Sequence, residues 1–162
     1  MFPRFTVGFG EAFASQNIRY IFLLLLKDRL STKNILKRKN MQLDSYHGDL
    51  CQLSGKTCEH LFIECSFAKV CWNLLGISFQ MGLNISDCVT QLKTQTHPVF
   101  YTMVAILMCW AVWTVRNGFI FKNVQPSVQA AKETFKKELS LLSLGAKAKV
   151  SVTFDLWIKN LL

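Results

Sequence analysis

Four of the six cysteines and one of the three histidines fall in the stretch DLCQLSGKTCEHLFIECSFAKVCW, residues 49–72. Thiolates and imidazoles are ligands that zinc prefers, and a closed structural site needs four ligands in a tetrahedron. Three of these ligands would come from Cys51, His60 and Cys65, which follow one another at spacings that short loops can close. Spacing alone leaves two interpretations open, a zinc site or small thiols packed in a core.

The fourth ligand is not obvious from the sequence. A C-x2-C pair ending at Cys51 would begin at position 48, which is Gly48 and has no ligand atom. His47 lies beside this position and is our candidate to complete the site. Cys58, between Cys51 and His60, is a further candidate.

The net charge of the chain is +9, from nineteen Lys and Arg against ten Asp and Glu. An excess of this size favours a polyanion as partner, either RNA or DNA or an anionic membrane surface, although a solvated basic surface is an equally open interpretation. The segment KNILKRKN, residues 33–40, suits phosphate contacts that carry no base specificity. Its basic residues are our candidates for nucleic-acid binding: Lys33, Lys37, Arg38 and Lys39.

Patterns typical of enzymes are missing from the sequence. It has no glycine-rich phosphate loop followed by Lys, no glycine-flanked nucleophilic serine and no His pair flanking a Glu at zinc-protease spacing. Its acidic residues are scattered singly, whereas polymerases and nucleases cluster carboxylates around two metal ions. We therefore expect no enzyme and no small-molecule substrate. The N-terminus lacks a signal-peptide pattern, so we expect reduced cysteines in an intracellular protein of the nucleus or cytoplasm, not a secreted one.

Short helices are predicted around the Cys/His stretch. Residues 1–16 mix Phe and Gly without a clear period, and we expect a poorly ordered leader there. A helix is predicted over residues 18–30 and a second over 33–40, capped by Ser31. The Cys/His stretch itself is expected to be loop and short turns.

Two further helices are predicted beyond this stretch. The first ends at Gly76, where a glycine can take the left-handed conformation, and Val70, Leu74 and Leu75 would face the core, with Trp72 nearby. The segment ISDCVTQLKT predicts the second helix, with Ser86 as its N-cap.

The segment VFYTMVAILMCWAVWTV, residues 99–115, is uncharged throughout. As a helix it would be about 25 Å long, a little shorter than the roughly 30 Å hydrocarbon core of a bilayer. We interpret it as the buried centre of a helical domain, because the other apolar helices need a surface to pack on. A membrane span is the alternative, and a membrane is not the expected partner.

The C-terminal region predicts one amphipathic helix, over residues 127–144. Its apolar residues recur at steps of three and four and form one face, made of Val128, Ala131, Phe135, Leu139 and Leu142. The alternation of Val150, Val152 and Phe154 favours a short strand or an extended end. The predicted fold class is mainly α, a small helical domain with a Cys/His loop region.

Three motifs, FLLLLKDRLSTKNILKRKNM, CQLSGKTCEHLFIECSFAKVCW and WAVWTVRNGFIFKN, occur in this order. They resemble the zinc-binding domain at the C-terminus of reverse transcriptases from plant LINE-type (non-LTR) retrotransposons. The resemblance covers roughly residues 17–123 and would leave residues 1–16 as leader and residues 124–162 as a C-terminal amphipathic helix and tail. It implies a non-catalytic module that binds zinc and, through its basic surface, RNA or DNA with little sequence preference.

The same resemblance assigns ligand positions. The family pattern is a C-x2-C pair, a His followed by Leu and Phe, and a Cys after four further residues, so that Cys51, His60 and Cys65 occupy three ligand positions. Gly48 stands where the family has its first Cys, and His47 is the residue that we expect to replace it. The alternative function is a structural or interaction remnant without metal or nucleic acid, including one held to a membrane by the uncharged segment.

Overall fold

The computed structural model describes residues 16–27, 29–30, 57–145 and 148–159. These ranges contain helices and no strand, which confirms the prediction of a mainly α fold. In chain order the elements are α1 (Gln16–Leu26), a π-helical turn (His60–Glu64), α2 (Ser66–Asn73), α3 (Ile85–Gln95), α4 (Tyr101–Lys122), α5 (Val128–Gly145) and α6 (Ala148–Lys159).

Helix α4 is the centre of the described fold and packs against α1, α2, α3 and α5. Twelve of its 22 residues are buried, among them Leu107 and Val112 with no exposed surface. By length and composition α4 could cross a membrane, but 61% of its apolar window is buried inside the protein. Central helices of folded domains have the same composition, so the prediction of a buried central helix is confirmed.

The connection after α4 brings α5 back onto it. Asn123 ends α4 in the left-handed region at φ 53°, which Asn tolerates better than most residues. Its N–H donates to the carbonyl of Phe119 at 3.1 Å, and the N–H of Val124 donates to the carbonyl of Gly118 at 3.1 Å. The predicted apolar face of α5 is buried against the core, as expected, at Ala131, Phe135, Leu139 and Leu142.

Helix α1 agrees with the predicted first helix, although it begins at Gln16 and ends at Leu26. Ile18, Phe22 and Leu25 are buried and face α4 and α3. The predicted second helix over residues 33–40 and its cap Ser31 lie outside the described residues, as does nearly all of the expected leader.

Helix α2 corrects one predicted core position. Gly76 follows it at φ 67°, as predicted, and Leu75 is buried. Val70, however, is 46% exposed. The helix is short, and its core side is occupied by Ala68 and Trp72, which leaves Val70 on the solvent side.

The predicted cap of α3 was also wrong. The N-cap is Asn84, whose Oδ1 accepts the N–H of Asp87 at 2.9 Å. The Nδ2 of Asn84 donates to a carboxylate oxygen of Asp87 at 2.7 Å, which reinforces the first turn. Ser86 lies inside the helix, where its carbonyl accepts the hydroxyl of Thr90 at 3.1 Å.

The predicted strand or extended end near Val150 was wrong, because this segment belongs to α6. Phe154 is fully buried and packs on Phe100 with ring centroids 4.9 Å apart. Trp157 and Phe154 are three residues apart and both contact Phe100. Helical spacing brings these two rings to one side of the chain, whereas an alternating strand would place them on opposite faces.

Candidate zinc-binding region

The predicted ligands His60 and Cys65 lie at the two ends of the π-helical turn. The N–H of Cys65 donates to the carbonyl of His60 at 2.7 Å, a bond that spans five residues and therefore places the two residues one turn apart. The hydroxyl of Thr57 accepts the N–H of His60 at 3.1 Å and fixes the start of the turn. The expected loop is thus helical in its described part, because three consecutive apolar side chains here are buried: Leu61, Phe62 and Ile63.

A buried hydrogen bond fixes the end of this turn. The backbone at Cys65 becomes extended, at φ −56° and ψ 136°, so the last carbonyls of the turn lose helical partners. The Nε1 of Trp72 donates to one of them, the carbonyl of Phe62, at 2.7 Å. The ring of Phe62 stacks on Trp113 of α4 with centroids 6.3 Å apart. The π turn is therefore held to both α2 and α4.

His60 is half-buried and the thiol of Cys65 is almost fully buried. Imidazole and thiolate one turn apart have the chemistry of half a zinc site. Within residues 16–30, 57–145 and 148–159, as far as they are described, no group of three or more His, Cys, Asp or Glu side chains is arranged to hold a metal. A zinc held by His60 and Cys65 would therefore need further ligands from other parts of the chain. Cys51 and His47, together with Gly48, lie outside the described residues.

The remaining described cysteines, Cys58, Cys71, Cys88 and Cys109, are all buried. Burial, with a smaller contribution from the neighbouring thiol of Cys65, raises the pKa of the Cys71 thiol to about 12. Burial also raises the pKa of Cys109, with smaller contributions from Cys58 and Cys88. In the metal-free protein the raised pKa values favour the protonated thiols at neutral pH. The burial of Cys71, and equally that of Cys65, fits the alternative interpretation of packed thiols.

An acidic region adjoins the π turn. Burial, together with the smaller effects of the carboxylates of Asp87, Glu59 and Glu64, raises the pKa of Cys88 to about 11. All three carboxylates therefore lie around one thiol. Residues 57–92 contain these three acidic residues and only one Lys or Arg, which is Lys69. This part of the surface is unfavourable for phosphate.

The basic residues concentrate elsewhere. The candidates Lys33, Lys37, Arg38 and Lys39 lie outside the described residues. The described residues from position 93 onward contain eight Lys and Arg but only three Asp and Glu. Sequence reasoning placed much of the positive charge in residues 33–40 and did not single out this second concentration, because its charges are spread over α3 to α6 and form no run.

One functional contact had no sequence signal. Trp72 fixes the carbonyl of Phe62 and thereby the turn that carries His60 and Cys65. Sequence reasoning placed Trp72 near the core, and it lies there, but the bonding of its indole depends on a π turn that leaves no compositional trace.

Comparison with known proteins bears on the same region. No curated protein and no solved structure matches the chain. Residues 9–72 match the family described as zinc-binding in reverse transcriptase. The match contains the predicted ligands His47, Cys51, His60 and Cys65, and it ends at Trp72. Over residues 9–72 the chain is thus similar to the zinc-binding region of reverse transcriptases.

Proposed function

We propose that this chain is a non-catalytic zinc-binding module, derived from the reverse transcriptase of a plant LINE-type retrotransposon, that binds RNA or DNA with little sequence preference. The observation that carries the proposal is the placement of His60 and Cys65 one turn apart inside the matched residues 9–72. The order of the three sequence motifs supports the retrotransposon origin. The scattered acidic residues support a role without catalysis.

His60 and Cys65 would hold the zinc together with Cys51 and His47 from the same matched stretch. A structural zinc cross-links its ligands, and in small zinc-finger peptides it contributes about 10–16 kcal/mol of apparent binding free energy. Here the described half is held in place by the protein itself, through the bond between Trp72 and Phe62. His47 would take the position that Gly48 leaves without a ligand atom.

Nucleic acid would bind through phosphate contacts. The net charge of +9 provides the attraction, and Lys33, Lys37, Arg38 and Lys39 are the proposed contacts. The acidic region around Glu59 and Glu64 directs the strand away from that side of the π turn. Contacts of this type read the backbone and not the bases, which accounts for the proposed lack of sequence preference.

The zinc content of the purified protein tests the proposal. We expect about one zinc per chain, its loss in Cys65→Ala, and its retention in Cys71→Ala, because Cys71 is an equally buried cysteine that the proposal leaves out of the site. Gly48→Cys should restore the family ligand and tighten zinc binding in competition with a chelator. A zinc-free wild-type protein, or equal loss in both cysteine variants, would contradict the proposed site.

A further inference from the structure

A cluster of aromatic side chains lies where α3 ends and α4 begins. His97 is exposed, and its ring lies nearly parallel to that of Phe100, with centroids 5.0 Å apart and an angle of 13°. Trp157 of α6 packs on Phe100 from another direction, with centroids 5.2 Å apart. Phe100 is buried beneath both. The cluster joins α6 to the rest of the fold.

Part of this cluster faces solvent. Tyr101 and Trp157 are half-buried and His97 is exposed, so three ring systems present some of their surface. The ammonium group of Lys93 lies 5.8 Å from the centroid of the Tyr101 ring. A cation beside exposed aromatic rings is the composition of surfaces that bind single-stranded nucleic acid, where bases stack on rings and a basic side chain meets the backbone.

We infer that His97, Tyr101 and Trp157, here called the aromatic surface, stack the bases of a single-stranded nucleic acid, with Lys93 placed to meet its backbone. The inference rests on the proposed function and adds to it the preferred strand form and a site. His97 already forms a stacked pair with Phe100, and a base on its outer face would extend that pair by one ring.

Charge favours an anionic partner over a neutral or basic one on this surface, and the exposed rings favour nucleic acid among anionic partners. Asp87 and Lys93 lie at opposite ends of α3, separated by about 9 Å of helix axis, so the aromatic surface is at the basic end. The described chain from Lys93 onward has an excess of positive charge. A partner that combines planar rings with negative charge fits both features.

The test compares the affinity of the full chain for a short oligothymidylate with that for an abasic strand of equal length, by fluorescence anisotropy. We expect the abasic strand to bind about fivefold or more weakly, the usual contribution of one stacked base. His97→Ala and Tyr101→Leu should each reduce the ratio of the affinity for oligothymidylate to the affinity for the abasic strand. Trp157→Leu is unsuitable for this test, because Trp157 packs on Phe100 and its loss would loosen α6.

Phe121→Leu is the matched control. Phe121 is 76% exposed and lies on the same helix as Tyr101, about 30 Å along its axis. It should keep the full ratio, and circular dichroism should show that all variants retain the fold.

The outcomes separate this inference from the proposed function. If neither strand binds, the proposed nucleic-acid function fails, and the inference with it. If both strands bind equally, or if His97→Ala and Tyr101→Leu keep the ratio, the aromatic surface is not the stacking site although nucleic-acid binding stands. A ratio lost in Phe121→Leu would overturn the inference in the same way.

Discussion

Trp72 combines two roles that are usually separate. Its ring fills the core beside Phe79, in an edge-on contact with centroids 5.0 Å apart. Its Nε1 satisfies the carbonyl that the π turn leaves without a helical partner. A buried carbonyl without a partner is costly, so the indole N–H stabilises the backbone that carries the two described ligand candidates.

Trp72→Phe should lower the free energy of unfolding by about 1–3 kcal/mol, because it leaves the carbonyl of Phe62 buried without a donor. Urea denaturation followed by circular dichroism measures the loss. Trp110→Phe is the control, since Trp110 is a half-buried tryptophan of α4. Equal losses in the two variants would show that ring volume, and not the hydrogen bond, accounts for the effect.

The buried thiol of Cys88 should make stability depend on alkaline pH. Its pKa is raised from 9.0 to about 11 in the folded protein. Above pH 9 the unfolded chain releases this proton and the folded chain keeps it, so stability is fully present below pH 9 and falls as pH rises towards 11. The loss from this single thiol should reach about 2 kcal/mol.

Denaturation of wild type and Cys88→Ala between pH 8 and pH 11 separates this thiol from the other groups that titrate in the same range. The variant will be less stable at pH 8 because it loses a buried side chain. Its stability should then fall less steeply with pH than that of wild type. Parallel curves would exclude a raised pKa at Cys88.

Among the helices, α3 shows which of two possible N-cap residues, Asn84 or Ser86, caps the helix. Asn84 and Asp87 are three residues apart, a spacing at which the Asn84 side chain accepts the N–H of Asp87 and donates to the Asp87 carboxylate. Ser86 is also a good cap residue, and the sequence prediction chose it. The prediction failed because residue type alone does not show where the chain leaves the extended conformation, which Asn84 retains at ψ 165°.

Asn84→Ala should lower the free energy of unfolding by about 1 kcal/mol, because the N–H of Asp87 loses its acceptor. Ser86→Ala should change it by a few tenths of a kcal/mol at most, since exposed helical positions without a capping role are usually neutral. Thermal denaturation of the two variants side by side distinguishes the two caps. A larger loss in Ser86→Ala would contradict the described start of α3.

Other elements show what sequence can and cannot predict. Phe135 and Leu139 recur at helical spacing on a polar background, so the buried face of α5 was predictable. Val152 and Phe154 alternate locally, and only the ring contacts of Phe154 with Phe100 reveal the helical period. For the candidate site, the sequence identified His60 and Cys65 as candidate ligands by residue type, but it did not predict the π-helical turn that places them. The aromatic surface was missed because His97 and Trp157 are far apart in sequence.

The described molecule has its charge unevenly distributed. Carboxylates surround Cys88 near the π turn, and the basic excess lies in the C-terminal helices. A polyanion therefore has a preferred side of approach even without base-specific contacts. The run at residues 33–40 adds four positive charges from outside the described residues.

Replacing Lys37 and Arg38 together by Gln should weaken nucleic-acid binding and flatten its salt dependence. For a single strand each lost phosphate contact lowers the slope of log K against log salt by about 0.7, so the expected change is about 1.4. Lys69→Gln, in the acidic region, should leave the slope unchanged. An unchanged slope in the double variant would remove these two residues from the interface.

The central position of α4 also has a consequence during synthesis on the ribosome. Its buried residues are synthesised before helix α5, which covers them. The last core residue of α5, Leu142, comes about 20 residues after Lys122, the end of α4. At about 5–20 residues per second, this stretch takes roughly one to four seconds to emerge. During that interval a largely apolar helix is available to chaperones or to other nascent chains, so a chain truncated just after Asn123 should be prone to aggregation.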